Sequence, residues 1–207
     1  MVILFLSALT IGFSGAMMPG PLLTYTIRQA LNAGPKAGFI IAAGHAVLEL
    51  GLVALLLLGF DLILKSDSVQ IAIGIIGGAL LAYMGADMIG GALKNKVKIE
   101  VDAGKTKTRN MFYSGLAISA ANPYFLFWWA VIGLGFLLQA HEVAGMPGLA
   151  AFYCGHILAD FSWYGFVSVS VGKTRRLIKD GLYRFIIAAL GCVLLFFGCS
   201  FIYRAIL

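Results

Sequence analysis

The apolar residues of this 207-residue chain gather into six long blocks separated by short polar connections. They run approximately over residues 3–27, 38–60, 69–93, 112–138, 147–172 and 183–206. Crossing roughly 30 Å of hydrocarbon takes about 20 helical residues, so each block predicts one transmembrane helix. The chain therefore reads as an all-α integral membrane protein with six transmembrane helices. Only residues 94–111 form a longer connection, so nearly all the function must lie inside the bilayer. No basic residue precedes the first block, which continues past Pro19 to Tyr25 and is read as a retained helix, not a cleaved signal.

Composition agrees: 61% of residues are hydrophobic, 12% are charged, and mean hydropathy is +0.96. The fifteen Lys and Arg add an orientation. Arg28 and Lys36 lie in the first connection, six basic residues in the third, and Lys173, Arg175, Arg176, Lys179 and Arg184 around the fifth. The second and fourth connections hold only Lys65. Loops near 28–37, 94–111 and 173–184 are thus expected in the cytoplasm, with both termini on the other side. This asymmetry accounts for the net charge of +6, so the basic loop calls for no nucleic acid or other anionic partner. Cys154, Cys192 and Cys199 lie in apolar blocks without CxxC spacing and read as small membrane-embedded residues, not redox groups.

Against this background one motif occurs twice, as Gly44-His45-Ala46-Val47-Leu48-Glu49 and as Gly155-His156-Ile157-Leu158-Ala159-Asp160. Each copy sets an imidazole and a carboxylate four residues apart on one helix face. Ionisable groups at membrane depth are costly, so a duplicated pair points to a transport site. Counting about 1.5 Å per residue from either membrane surface puts Glu49 and Asp160 near the midplane. His45 then lies about a turn toward the cytoplasm and His156 about a turn toward the exterior, a ladder on which protons could move.

Three helices after three helices makes any duplication an inverted one. Pro19 corresponds to Pro123, the His45/Glu49 pair to His156/Asp160, and Gly78 and Gly85 to Gly191 and Gly198, at offsets of 104, 111 and 113 residues. Residues 1–93 are read as the first three-helix repeat, 94–111 as a basic cytoplasmic linker and 112–207 as the second repeat. Proline lacks an amide donor and clashes with the preceding turn, so the first helix of each repeat is expected to break, at Pro19/Pro21 and at Pro123. Backbone groups freed there need protein, water or a ligand, and matched breaks are the best pointer to a binding site. Asp87 reads as an interfacial carboxylate paired with Lys or Arg. Gly74, Gly77, Gly78, Gly85, Gly90 and Gly91 allow close helix contact within one chain or between two, leaving a homo-oligomer open.

The run Gly15-Ala16-Met17-Met18-Pro19-Gly20-Pro21, followed by Gly34-Pro35-Lys36-Ala37-Gly38 and Gly44-His45, resembles the amino terminus of the lysine exporter family, the LysE/RhtB type translocators. Asn122-Pro123, the basic loop before the fourth block and the six-block size are also similar to that family. The resemblance implies secondary export of amino acids or related small metabolites across the cytoplasmic membrane, driven by an ion gradient. No nucleotide-binding GxxxxGK[ST] loop occurs, no cofactor is expected, and no GxSxG or HExxH motif suggests an enzyme. On this reading Pro19, Gly20, Pro21, Asn122 and Pro123 contact the substrate. Glu49, Asp160, His45 and His156 bind its ammonium group or carry protons in an antiport. The alternative is divalent metal export, with His45, Glu49, His156 and Asp160 as ligands.

Overall fold

The computed structural model describes residues 1–18, 20–59, 66–94, 108–174, 177 and 179–206, and among these it is helical without strands. In chain order the helices are α1 (Val2–Ala16), α2 (Pro21–Ala33), α3 (Ala37–Leu57), α4 (Asp67–Leu93), α5 (Thr108–Ala120), α6 (Pro123–Trp128), α7 (Leu134–Thr174) and α8 (Asp180–Ile206). A π-helical turn, Trp129–Gly133, joins α6 to α7. By length and apolarity α3, α4 and α8 can each cross a membrane alone, and α1 with α2 passes the same test as a bent pair.

The expected breaks explain why the other blocks are not single rods. The first block is two helices inclined at 80°, with α1 ending at Ala16 and α2 opening at Pro21. Proline suits the first position of α2, where its missing donor costs nothing. Pro19 itself lies outside the described residues. The fourth block starts earlier than its apolar run, at Thr108, and breaks at Ala121–Asn122 before Pro123 opens α6. Asn122 caps α6 by accepting the Tyr124 amide at 3.1 Å. The helix α7 turns at Ala144 and Gly145, whose φ of 58° favours glycine, and Pro147 follows in its next turn. That kink separates the expected fourth and fifth blocks.

Glycine decides how closely these helices approach. A Cβ on Gly44 would lie 2.0 Å from the Phe112 carbonyl oxygen, and one on Gly115 would lie 2.3 Å from that of Ile41, so α3 and α5 pack backbone to backbone. Gly12 and Gly155 do the same for α1 and α7, against His156 and Phe5. Between α4 and α8, Gly78 faces Gly198 and Gly85 faces Gly191. Gly77 seats the Ala121 carbonyl, so α4 covers the α5–α6 break. Gly90, by contrast, meets nothing within 4 Å.

Along α3, Ile41 and Ala42 join one buried apolar cluster with Tyr25 and Tyr164, while Leu52 and Val53 join another with Trp129 and Phe152. His45 and Glu49 lie between the two. On α7, His156 and Asp160 likewise fall between Phe152 and Tyr164. The outer surface is apolar instead, with Ile76, Tyr83, Phe166 and Phe196 exposed, as a lipid solvent demands. Cys154, Cys192 and Cys199 are exposed on this outer surface, not packed inside the protein, and none is disulfide-bonded. Asp87 of α4 meets Arg28 of α2 at 3.9 Å, and the Tyr183 hydroxyl donates to Asn32 Oδ1, tying α2 to both α4 and α8.

The glycine contacts yield a direct test. Overpacking typically costs about 1–3 kcal/mol. Gly44→Ala should lower the apparent Tm of the detergent-purified protein by several degrees. Gly51→Ala, at a position that meets nothing within 4 Å, should leave it unchanged or slightly raised.

Candidate functional site

Four ionisable side chains meet where α3 crosses α7. His45, Glu49, His156 and Asp160 are between 1% and 6% exposed, so whatever neutralises them must come from within the protein. Their i,i+4 spacing places each pair on the inner face of its own helix, and the crossing brings the pairs together. His156 Nε2 lies 3.0 Å from Glu49 Oε1, closer than the 3.7 Å to Asp160 on its own helix. His45 Nε2 is 3.3 Å from Glu49 Oε1 and 3.9 Å from Asp160 Oδ2. Each imidazole therefore faces both carboxylates.

Two residues outside the repeated motif complete the arrangement. The π-helical turn begins at Trp129, whose indole N–H donates to Glu49 Oε1 at 2.9 Å. Such turns are rare and recur at functional sites because they re-aim a side chain. Gly133 gives the indoles room, since its Cβ would lie 2.6 Å from the Trp129 ring and 2.9 Å from that of Trp128. The second residue is Ser119, which donates to the Gly115 carbonyl and lies 2.8 Å from His45 Nδ1. A hydroxyl has one proton, so Ser119 accepts from His45, and the network assigns the Nδ1 hydrogen. His45 Nε2 then faces two carboxylates and must either carry a second proton or accept one from a protonated carboxyl.

Not every polar atom is satisfied. Glu49 Oε2, Asp160 Oδ2 and His156 Nδ1 are buried without a hydrogen-bond partner among the described residues. Leaving such atoms unpaired costs about 1–3 kcal/mol each, more for a charge. The ring of His156 is held between Trp128, at 4.8 Å, and Phe152, at 6.2 Å and nearly parallel.

A cavity of about 70 Å³ opens onto this cluster. Its wall includes Gly15, Met18, Gly20 and Pro21 from the first helix break and Asn122 from the second, together with all four ionisable residues. Trp128 Nε1 donates to Ser14 Oγ at 3.3 Å, joining α6 to α1 beside it. Of the substrate contacts expected from sequence, Gly20, Pro21 and Asn122 line the cavity, Pro123 sets the first position of α6, and Pro19 falls outside the described residues. The amide of Tyr124 is already capped by Asn122, whereas Gly20, at the start of α2, provides no side-chain cap.

A match to the LysE type translocator model extends over residues 13–205 and so takes in both breaks and the whole cluster. The chain belongs to the LysE type translocator family. Among curated relatives of this translocator, the chemotactic transduction protein ChpE of Pseudomonas aeruginosa is 29% identical over 97% of both chains. YcgF of Bacillus subtilis, named as a candidate amino acid efflux protein, is 24% identical over 98% of this chain and 97% of its own. No solved structure matches the translocator. It is a multi-pass protein of the inner membrane that handles a small molecule.

His45, Glu49 and Asp160 bring one potential metal-ligand atom each within 4.8 Å of one another. By distance they could hold a divalent ion, but Glu49 Oε1 already accepts from Trp129 and faces His156, and the relatives give metal export no support. Sequence reading missed Trp129 and Ser119 as site residues. Ser119 carries a readable signal, one helical turn before Asn122, while the π turn that aims Trp129 carries none.

Removing the Trp129 donor should be felt in stability. Trp129→Phe should destabilise the folded protein by about 1–3 kcal/mol, read by thermal unfolding in detergent. Trp128→Phe, which loses a bond to the exposed Ser14, should cost less than half as much.

Proposed function

We propose that this translocator exports amino acids or closely related small zwitterions across the cytoplasmic membrane, exchanging them for protons. One observation carries the reading: both helix breaks and both His-carboxylate pairs line a single cavity. A zwitterion needs a donor-rich terminus for its carboxylate and unpaired acceptors for its ammonium. The start of α2 suits the first, since helix N-termini favour anions, Gly20 brings no capping side chain, and Leu22 and Leu23, the first residues of α2 with amide donors, line the cavity. Glu49 Oε2 and Asp160 Oδ2 suit the second. In this scheme the proton shared by His45 and the carboxylates competes with the substrate ammonium for one site. Proton entry releases substrate on one side, and proton exit readies the site on the other.

The scheme needs access from both faces, which an inverted repeat of residues 1–93 and 112–207 would supply. The packing supports it. Exchanging the halves turns the α1 contact with α7 into the α5 contact with α3, and both are made through glycines, Gly12 and Gly155 in one case and Gly115 and Gly44 in the other. The same exchange turns the Gly78–Gly198 contact into Gly191–Gly85. With the basic connections in the cytoplasm, both termini lie outside, and the linker 94–111 joins the repeats on the inner face.

The test is counterflow in proteoliposomes under an imposed pH gradient, with a panel of amino acids beside zinc, manganese and cadmium. Saturable, gradient-driven amino-acid flux is expected. Glu49→Gln weakens charge-assisted bonds of about 1.5–3 kcal/mol and Asp160→Asn removes the second carboxylate charge that faces both imidazoles, so each should weaken coupled flux roughly ten- to a hundredfold. Metal flux without amino-acid flux would overturn the reading, as would wild-type rates with unchanged gradient dependence in both variants.

A further inference from the structure

The cavity also constrains which amino acids can be carried, an inference that rests on the export reading above. From its charge map we infer that the substrate is an amino acid with a small, uncharged side chain. The negative charge in the cavity is confined to one point. Carboxylate oxygens of Glu49 and Asp160 lie within 4.8 Å of each other and of a shared imidazole nitrogen. Two carboxylates so placed serve one ammonium group with two acceptors, Glu49 Oε2 and Asp160 Oδ2, which accept no hydrogen bond from the described residues. They cannot also serve a second ammonium at the far end of a lysine-like side chain.

Beyond that point the wall turns neutral. Tyr124, Phe125, Trp128, Leu22 and Leu23 line it, and among the described residues no Lys or Arg does. A side-chain ammonium or guanidinium would be stripped of water against rings and methyl groups without a counter-ion, and a side-chain carboxylate would find no Lys or Arg there among the described residues, with both imidazoles already facing Glu49 and Asp160. Both penalties exceed what one added aromatic contact returns. Size acts in the same direction, because the cavity of about 70 Å³ is smaller than the roughly 150 Å³ in which benzene is accommodated. Phe125 sets this limit. Its ring packs edge-on against His45 at 5.3 Å, so a longer side chain must displace it from the imidazole.

The experiment is proteoliposome counterflow with alanine, serine, threonine, leucine, phenylalanine, lysine, arginine and glutamate, each assayed alone. Alanine, serine and threonine should move at least about tenfold faster than lysine, arginine or glutamate, the discrimination expected for an unpaired buried charge. A smaller ratio, or preference for a charged amino acid, overturns this inference and leaves amino-acid export standing. No flux for any member of the panel removes the export reading itself. Phe125→Ala addresses size separately through the ratio of leucine to alanine flux, in which differences in protein yield cancel. That ratio should rise about tenfold for the methylenes admitted. An unchanged ratio overturns the assignment of Phe125 as the size limit.

Discussion

Hydrocarbon offers no water to a buried charge, so every ionisable side chain at the centre of this protein must find its partners in the protein itself. The crossing of α3 and α7 meets that demand by setting two imidazoles against two carboxylates, with each imidazole facing both acids at 3.0 to 3.9 Å. Trp129 and Ser119 then fix the orientation, one by donating to Glu49 and the other by accepting from His45. Removing any one charge would leave an uncompensated one behind, which makes the cluster a single unit. What it leaves unpaired is as informative as what it pairs, because three of its buried polar atoms have no hydrogen-bond partner among the described residues.

Such a cluster forms only if the helices come close enough for short side chains to span the gap. Lipid tails are as apolar as the helix faces, so burial alone does not draw helices together. Glycine makes the close approach possible. Gly44 precedes His45, Gly155 precedes His156, and each lets its helix rest on a neighbouring backbone. The repeated Gly-His step thus combines a packing device with a chemical one. The helix breaks have the complementary role of bringing free backbone to the same depth, where α4 covers one of them through Gly77.

Much of this was legible in the linear chain. The apolar blocks located α3, α4 and α8 to within a few residues, because a membrane span must be long and unbroken in hydropathy. Proline located both breaks, since its missing donor and its ring act locally. The His45/Glu49 and His156/Asp160 pairs stood out because charge is rare in such blocks. Sequence did less well where geometry is set by neighbours. It gave the second break as a proline effect without showing that Asn122 caps the helix, and it placed the cysteines without showing that they face outward. Asp87 was read as an interfacial acid, but its partner Arg28 lies 59 positions away and comes from another helix.

Sequence alone determined that this is a membrane protein with a duplicated His-carboxylate motif and two proline breaks, because hydropathy, spacing and proline chemistry act over a few residues. The tertiary structure decided that the two motifs form one cluster and that His156 lies closer to Glu49 than to the acid on its own helix. It also decided that Trp129 and Ser119 belong to the site. Those facts depend on the crossing of α3 with α7 and on the π turn after α6, which arise from packing among residues more than 100 positions apart, such as Glu49 and His156 at 107. No local pattern encodes such a distance.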